Sequence, residues 1–465
     1  MPLPWTKVQD FYLRIGFLKV LVATLSPERR SVTNDAVLRK LATPLLEPAI
    51  RYPALWSEVQ NLVPWYQKEH AQGKLEKPSV TEALLVVGDC PSWLFAVTAP
   101  TAYKILDWGH DLFFVGRGNQ ITERGLLLRS LLPTTEVERF LGGDPCAWNP
   151  FVLTVSELLF FLYHLAEIDQ VTRDLITDLA DLENNRTIEA ADAGRLTCRA
   201  LFRMLSREQG ALAPRDLPAY RTARELATTI AKELRLDDLL VEFGASPSRG
   251  VPRPKRIRAR GRIATSPGRE HKTKNSDHQA IPRFEQLTDL GFLTKPMSLQ
   301  ERGSRTGEID RKRWKYQATP LCRRWRDTLR SIPPAGVRWE WNGFAKTAIQ
   351  IVKNADPSRA RHIDLPVVIH YLWESYQTIR RPIGHTPLDS VALLAMIRAV
   401  ADGFPLELVE FHRLMLAIKQ GSLLPDHAFF ASGNDLDKMF VLLKPGFSEK
   451  VNEIASALPP LGNNA

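Results

Sequence analysis

Arginine and lysine crowd into two stretches of this chain, and cationic side chains held close together have one principal use, the neutralisation of a polyanion. Residues 249–274 carry ten Lys/Arg against Glu270 alone, a net +9. Within them Arg253, Lys255, Arg256, Arg258, Arg260 and Arg262 fall in the run PRPKRIRARGR. Residues 302–330 carry ten more against Glu308, Asp310 and Asp327, a net +7, and Arg302, Arg305, Arg311, Lys312, Arg313 and Lys315 occupy the first half of that stretch. The intervening residues 275–301 are net −2, so 249–330 holds +14 in a 465-residue chain whose total is +10. The remainder is slightly acidic. A charge serving only solubility would be spread along the chain; a concentrated one implies a polyanionic partner, most often nucleic acid.

Other chemistry is thin. The Gly116–Gly118 triplet GRG is not followed by a P-loop, no GxSxG elbow appears, and the ten histidines form no HExxH or HxxxH pair. His362 and His370 are eight apart, a spacing that more often marks ordinary helix residues than metal ligands. Glu270-His271-Lys272 is the one Glu-x-Lys in a basic setting, in a segment that would not hold a metal's geometry. No catalytic residue, metal ligand or cofactor is therefore expected. The four cysteines, Cys90, Cys146, Cys198 and Cys322, are scattered without a CxxC, which points to a reducing compartment rather than a disulfide framework. The apolar stretches 11–25 and 151–168 carry Arg14, Lys19, Glu157 and His164, so no spanning helix is expected, and MPLPWTKVQD does not read as a secretion signal. The expectation is a cytoplasmic protein without a membrane partner.

At 44% hydrophobic and 25% charged residues, the chain has the balance of a globular protein of several domains. Residues 1–74 read as helical, with VQDFYLRIGFLKVLVATL apolar on every turn until Ser26-Pro27. Residues 75–150 form a first readable unit, and 151–243 return to helical periodicity in SELLFFLYHLAEI and RLTCRALFRMLSREQ. Residues 244–280, rich in Pro, Gly, Ser and Arg, read as a flexible basic linker. A second unit covers 281–332, a third region 333–450, and 451–465 is a tail. In the third region Leu388–Asp402 and Leu406–Gln420 read as helices, and HAFFASGNDLDKMFVLL as two short strands around a turn. The fold class expected is mainly α with short β-hairpins.

The first two units share a pattern. Each has an amphipathic helix ending in Asp-x-Gly, Asp107-Trp108-Gly109 and Asp289-Leu290-Gly291, where glycine suits a left-handed closing position. Next come apolar runs, Leu112-Phe113-Phe114 and Phe292-Leu293, then a polar turn, then Gln120-Ile121-Thr122 and Gln317-Ala318-Thr319. Thr122 and Thr319 are placed to cap final helices starting near Glu123 and Pro320. Helix, strand, turn, strand, helix at this spacing resembles the winged-helix DNA-binding superfamily, over about 75 residues in the first unit and about 50 in the second. The third region resembles it too. The second unit departs from the first: Cys322 stands where the first has Gly125, its connection is 15 residues longer, and its earlier helices must come from before the basic linker or from another chain.

The resemblance implies duplex DNA as partner, with the helix before the hairpin reading the groove and the hairpin tip touching backbone. It places Tyr103, Lys104, Arg117 and Gln120 on the first unit's reading helix or wing, and Arg302, Arg305, Arg311, Lys312, Arg313 and Lys315 on a long basic wing of the second. PRPKRIRARGR suits a minor-groove arm, an RNA-binding segment or, in a eukaryote, a nuclear localisation signal. Trp314, Tyr316 and Trp325 interleave the second charge block and are expected to be core rather than base-stacking platforms. The reading that results is a non-enzymatic double-stranded DNA-binding protein, by analogy an accessory subunit of a prokaryotic genome-maintenance or anti-phage system. The alternative is a scaffold docking a helicase or nuclease. Self-association stays open.

Overall fold

The apolar run SELLFFLYHLAEI becomes a helix because a capping box starts it. Thr154 Oγ1 accepts the Glu157 amide, and the Glu157 carboxylate accepts the Thr154 amide at 2.7 Å. The computed structural model describes residues 15–41, 99–142, 148, 150–182, 186–210, 218–244, 275–294, 315–331, 343–352 and 364–458. These are mainly helical, with two small three-stranded antiparallel sheets, in accord with the mainly-α reading. Residues 42–98, which span the end of the first helical region and the start of the first readable unit, lie outside the described residues.

The N-terminal part contains α1 (Gly16–Thr24), α2 (Asn34–Leu41), α3 (Ala99–Asp111), α4 (Glu123–Ser130) and α5 (Thr134–Gly142). They precede α6 (Val155–Ile168) and α7 (Gln170–Ala180). Helix α1 is buried along its whole length, Lys19 included. Its ammonium donates at 2.9 Å to Glu157, so α1 and α6 are joined by an ion pair sealed from water.

The first sheet draws on residues far apart in sequence. Strand β1 (Thr187–Glu189) leads straight into α8 (Ala190–Gly210), followed by α9 (Pro218–Leu234) and α10 (Asp237–Glu242). Then come α11 (Asn275–Asp289), β2 (Leu293–Thr294), β3 (Lys315–Ala318) and α12 (Pro320–Arg330). β3 lies between β1 and β2 and pairs antiparallel with both, Ile188 opposite Tyr316 and Leu293 opposite Ala318. The second unit's missing helices thus come from before the basic stretch, in the same chain. Residues 275–280, read as the end of the linker, are instead the first turns of α11. β1 was not anticipated: a three-residue strand inside a helical region leaves no period to read.

After α13 (Phe344–Ala348), the second sheet repeats the path: α14 (Leu365–Ile379), β4 (Thr386–Pro387), α15 (Leu388–Ala401), α16 (Leu408–Gln420), β5 (Ala428–Ser432), β6 (Met439–Leu443) and α17 (Phe447–Glu453). Its middle strand is β6, flanked by β4 and β5. In both sheets the first strand in sequence pairs with the last, and in both that first strand runs directly into a helix. They differ in the insertion of α9, α10 and the stretch 245–274 between α8 and α11.

Three helices close identically before their hairpins. Phe113, Gly291 and Ser422 each take a left-handed φ, 57°, 77° and 50°. The next amide reaches back five residues in each: Phe114 to Gly109, Phe292 to Leu287 and Leu423 to Ile418, all within 2.8–2.9 Å. Asp111-Leu112-Phe113 is thus the counterpart of Asp289-Leu290-Gly291, which corrects the assignment of Gly109 to the closing position. Gly109 lies inside α3, where a β-carbon would stand 2.3 Å from Leu21 Cδ2; its smallness serves the approach of α1. The strand expected at Leu112-Phe113-Phe114 is reduced to a single bridge, Val115 to Ile121. The caps do form: Thr122 accepts from the Gly125 amide at 3.1 Å and Thr319 from the Leu321 amide at 3.3 Å. Gly125 is needed because a β-carbon would meet the Phe114 carbonyl oxygen at 2.4 Å. At the equivalent place Cys322 donates its thiol to the Phe292 carbonyl at 3.2 Å.

Charged contacts join the first hairpin to the second sheet. Glu123, at the start of α4, accepts from Arg29 at 2.7 Å and from Arg381, which precedes β4. Burial alone would push the Glu123 carboxyl up, but the hydrogen bonds from Arg381 and Arg29 bring it below the usual range. Its neighbour Arg124 lies within 3.3–3.4 Å of Glu167 on α6 and Asp389 on α15.

Candidate nucleic-acid interface

Lys315 is the exposed first residue of β3, opposite Glu189 at the end of β1. The connection from Thr294 to Lys315 meets the sheet at this end. It contains Arg302, Arg305, Arg311, Lys312 and Arg313, which lie outside the described residues, as do Arg253, Lys255, Arg256, Arg258, Arg260 and Arg262. Chain topology nevertheless attaches both cationic stretches to one unit: 245–274 runs into α11, and 295–314 joins β2 to β3. Of the interleaved aromatics, Tyr316 and Trp325 are fully buried. The Tyr316 hydroxyl donates to Glu285 at 2.7 Å, and burial raises its pKa well above 10. Both are core, as expected; Trp314 lies outside the described residues.

The helix preceding this hairpin does not offer a reading face. Every residue of α11 from Gln279 to Leu287 is buried, beneath α8 and α9 and against the cap of α7. Arg283 is wholly buried and lies 3.3 Å from Asp169, itself 1% exposed. Burial lowers the Arg283 pKa, and Asp169 opposes that shift. The resemblance assigns groove contact to this helix; in the observed packing α8 and α9 cover it.

The first hairpin is held by its own chain. The Gly118 carbonyl accepts the Val32 amide at 3.0 Å, and the Asn119 side-chain amide donates to Val32 O and Asn34 Oδ1 at 2.9 and 2.6 Å. Gln120 donates to Ser31 Oγ at 2.9 Å. Arg117 is exposed at this tip. On α3, Tyr103 is 44% exposed, and Lys104 is partly covered. The same face continues into exposed Asp107 and Asp111, carboxylates that oppose a phosphate backbone.

The second sheet's tip offers no net positive charge: Asp435 and Asp437 lie in it, the Lys438 ammonium is taken up by Asp435 at 2.6 Å, and the Lys419 ammonium donates to the Ser432 and Gly433 carbonyls at 2.9 and 2.7 Å. On α16 the exposed positions are Arg413 and Gln420.

Several arginines near the first sheet are occupied internally. On α12, Arg326 and Arg330 pair with Asp181, and Arg323 donates to the Leu182 carbonyl at 3.3 Å. On α8, Arg203 makes a two-pronged contact with Asp178 at 2.7 and 3.0 Å, and Arg207 pairs with Asp174. This α7–α8 network went unread in the sequence. Its signal is the four-residue spacing shared by Asp174/Asp178 and by Arg195, Arg199, Arg203 and Arg207.

Burial pushes the Cys198 and Cys322 thiols up to about 12, which keeps both protonated at neutral pH. Among the described residues no His/Cys/Asp/Glu cluster could hold a metal ion, and no helix is long and apolar enough to cross a membrane. No protein-family model matches the chain, and neither a curated protein nor a solved structure matches it.

Proposed function

We propose that this chain is a non-enzymatic double-stranded DNA-binding protein whose contact surface belongs to the unit built on β1, β2 and β3. The observation that carries the reading is topological: both Arg/Lys-rich stretches, 249–274 and the cationic part of 295–314, are tied to that one unit. The repeated path of helix, strand, helix, helix, strand, strand, helix, with the last strand central, supports assigning both sheets to winged-helix units. With α11 covered, DNA is held through phosphates rather than read at base edges, which gives affinity with little sequence preference. The analogy with accessory subunits of prokaryotic genome-maintenance or anti-phage complexes fits a binder of this kind.

The test is duplex binding against salt. Each phosphate contact contributes about 0.9 to the slope of log affinity on log salt. Replacing Arg256, Arg258, Arg260 and Arg262 with alanine is expected to lower the slope by about 3 to 4. An unchanged slope removes that stretch from the interface.

A scaffold role for the other two hairpins is favoured by a separate observation. The exposed face of α3 combines Tyr103, 44% exposed, with Asp107 and Asp111, Phe113 just beyond the helix is 47% exposed, and at the β5–β6 tip two carboxylates offset two ammonium groups. Such surfaces suit a protein partner, a helicase or nuclease among them, better than a duplex.

A further inference from the structure

We infer that α8 carries a second phosphate-contact track, formed by Arg195 and Arg199, in the unit to which both basic stretches are joined. This rests on the DNA-binding reading and extends it to residues outside both charge blocks.

Four arginines lie four residues apart on this helix: Arg195, Arg199, Arg203 and Arg207. Four residues advance a helix by about 6 Å and turn it by about 40° beyond a full revolution. The row therefore winds slowly around α8. Its C-terminal half is carried onto α7, where Asp178 and Asp174 take up Arg203 and Arg207. Its N-terminal half is carried away: Arg195 and Arg199 are exposed and have no acidic partner among the described residues. Asp192, one turn before Arg195, is already engaged, by the Glu189 amide at 3.3 Å and by Arg186 at 3.8 Å.

Position adds a second argument. α8 begins immediately after Glu189, which pairs with Lys315. The start of the arginine row and the point where the cationic connection 295–314 joins β3 thus lie at the same end of the sheet. Arg195 and Arg199 are spaced by about 6 Å along the helix axis, a separation that suits two contacts on one phosphodiester strand. Arginine suits the task, since its planar donors grip phosphate oxygens in pairs. The contact is blind to sequence.

The experiment measures anisotropy of a labelled 25-base-pair duplex across a salt series, using the full chain and the variant Arg195→Gln/Arg199→Gln. Because neither side chain makes an ion pair among the described residues, the melting temperature of the variant is expected to stay unchanged. Its salt slope is expected to fall by about 2, two contacts at about 0.9 each. An unaltered slope, in a variant that melts normally and beside a parent that binds, overturns the track on α8 and leaves the proposed function standing. A parent that ignores the duplex at low salt overturns both. Arg203→Gln is the internal control: it is expected to lower the melting temperature, through the loss of Asp178, and to leave the slope alone.

Discussion

Glu407 gives the structure a measurable pH dependence. The residue precedes α16, and its carboxylate accepts the amides of Ala345 and Lys346, at 3.2 and 3.1 Å, which open α13. Burial pushes its pKa up from an ordinary 4.5 to about 7, against the opposing pull of the Lys346 and Ala345 amides. A carboxyl raised on folding stabilises the folded state fully below its unfolded value and loses that contribution as pH climbs through its folded value. The window is therefore pH 4.5 to about 7, and the amount lost across it is about 3 kcal/mol at 1.36 kcal/mol per pH unit. Glu407→Gln imitates the protonated side chain and should abolish the dependence. The assay is amide hydrogen exchange of α13 in parent and variant at matched pH, taken as a ratio so that the intrinsic pH dependence of exchange cancels. Between pH 5 and pH 8, α13 in the parent is expected to lose about two decades of protection relative to the variant. Parallel protection at all pH values would refute the burial argument, because an ionised Glu407 would then cost nothing in its place.

Asp169→Asn leaves Arg283 buried without its counter-charge and is expected to cost about 3–5 kcal/mol. Chemical denaturation should show this, while the apolar double variant Asp169→Leu/Arg283→Met should lose far less. Asn119→Ala removes two of the hydrogen bonds that hold the Val32–Asn34 segment to the first hairpin, those to Val32 O and Asn34 Oδ1, a loss of about 1–3 kcal/mol for buried groups left unsatisfied. Faster limited proteolysis between Ser31 and Asn34 is the expected readout, and an unchanged cleavage pattern would show that other contacts hold the segment.

The helical character of the chain and the hairpins of the second and third units were legible because their signals are local. Thr319 before Pro320 announces a capped helix start, and Ala428–Ser432 with Met439–Leu443 shows apolar runs around a polar turn. The features that the sequence concealed are long-range. β1 finds its partner β3 more than a hundred residues away, and three residues carry no periodic signature. The Asp-x-Gly match misled at Gly109 because glycine answers two demands, left-handed backbone and close helix approach, and the letters do not say which. The two basic stretches were visible as charge, whereas the burial of α11 was not. Its Arg283, Glu285 and Gln286 look like a solvated face until Asp169 and Tyr316 are seen to engage the first two.

Insertion of residues 245–274 between α10 and α11 has a consequence for how the molecule responds to being cut. Each end of that stretch continues into folded structure, and the elements on its C-terminal side pack back onto those on its N-terminal side: α11 lies on α8, and β3 lies along β1. Severing the backbone there yields two polypeptides that share a sheet and a common interior, so they should co-purify as one species and separate only in denaturant. The same property makes the two halves, expressed apart, a candidate pair for reconstitution.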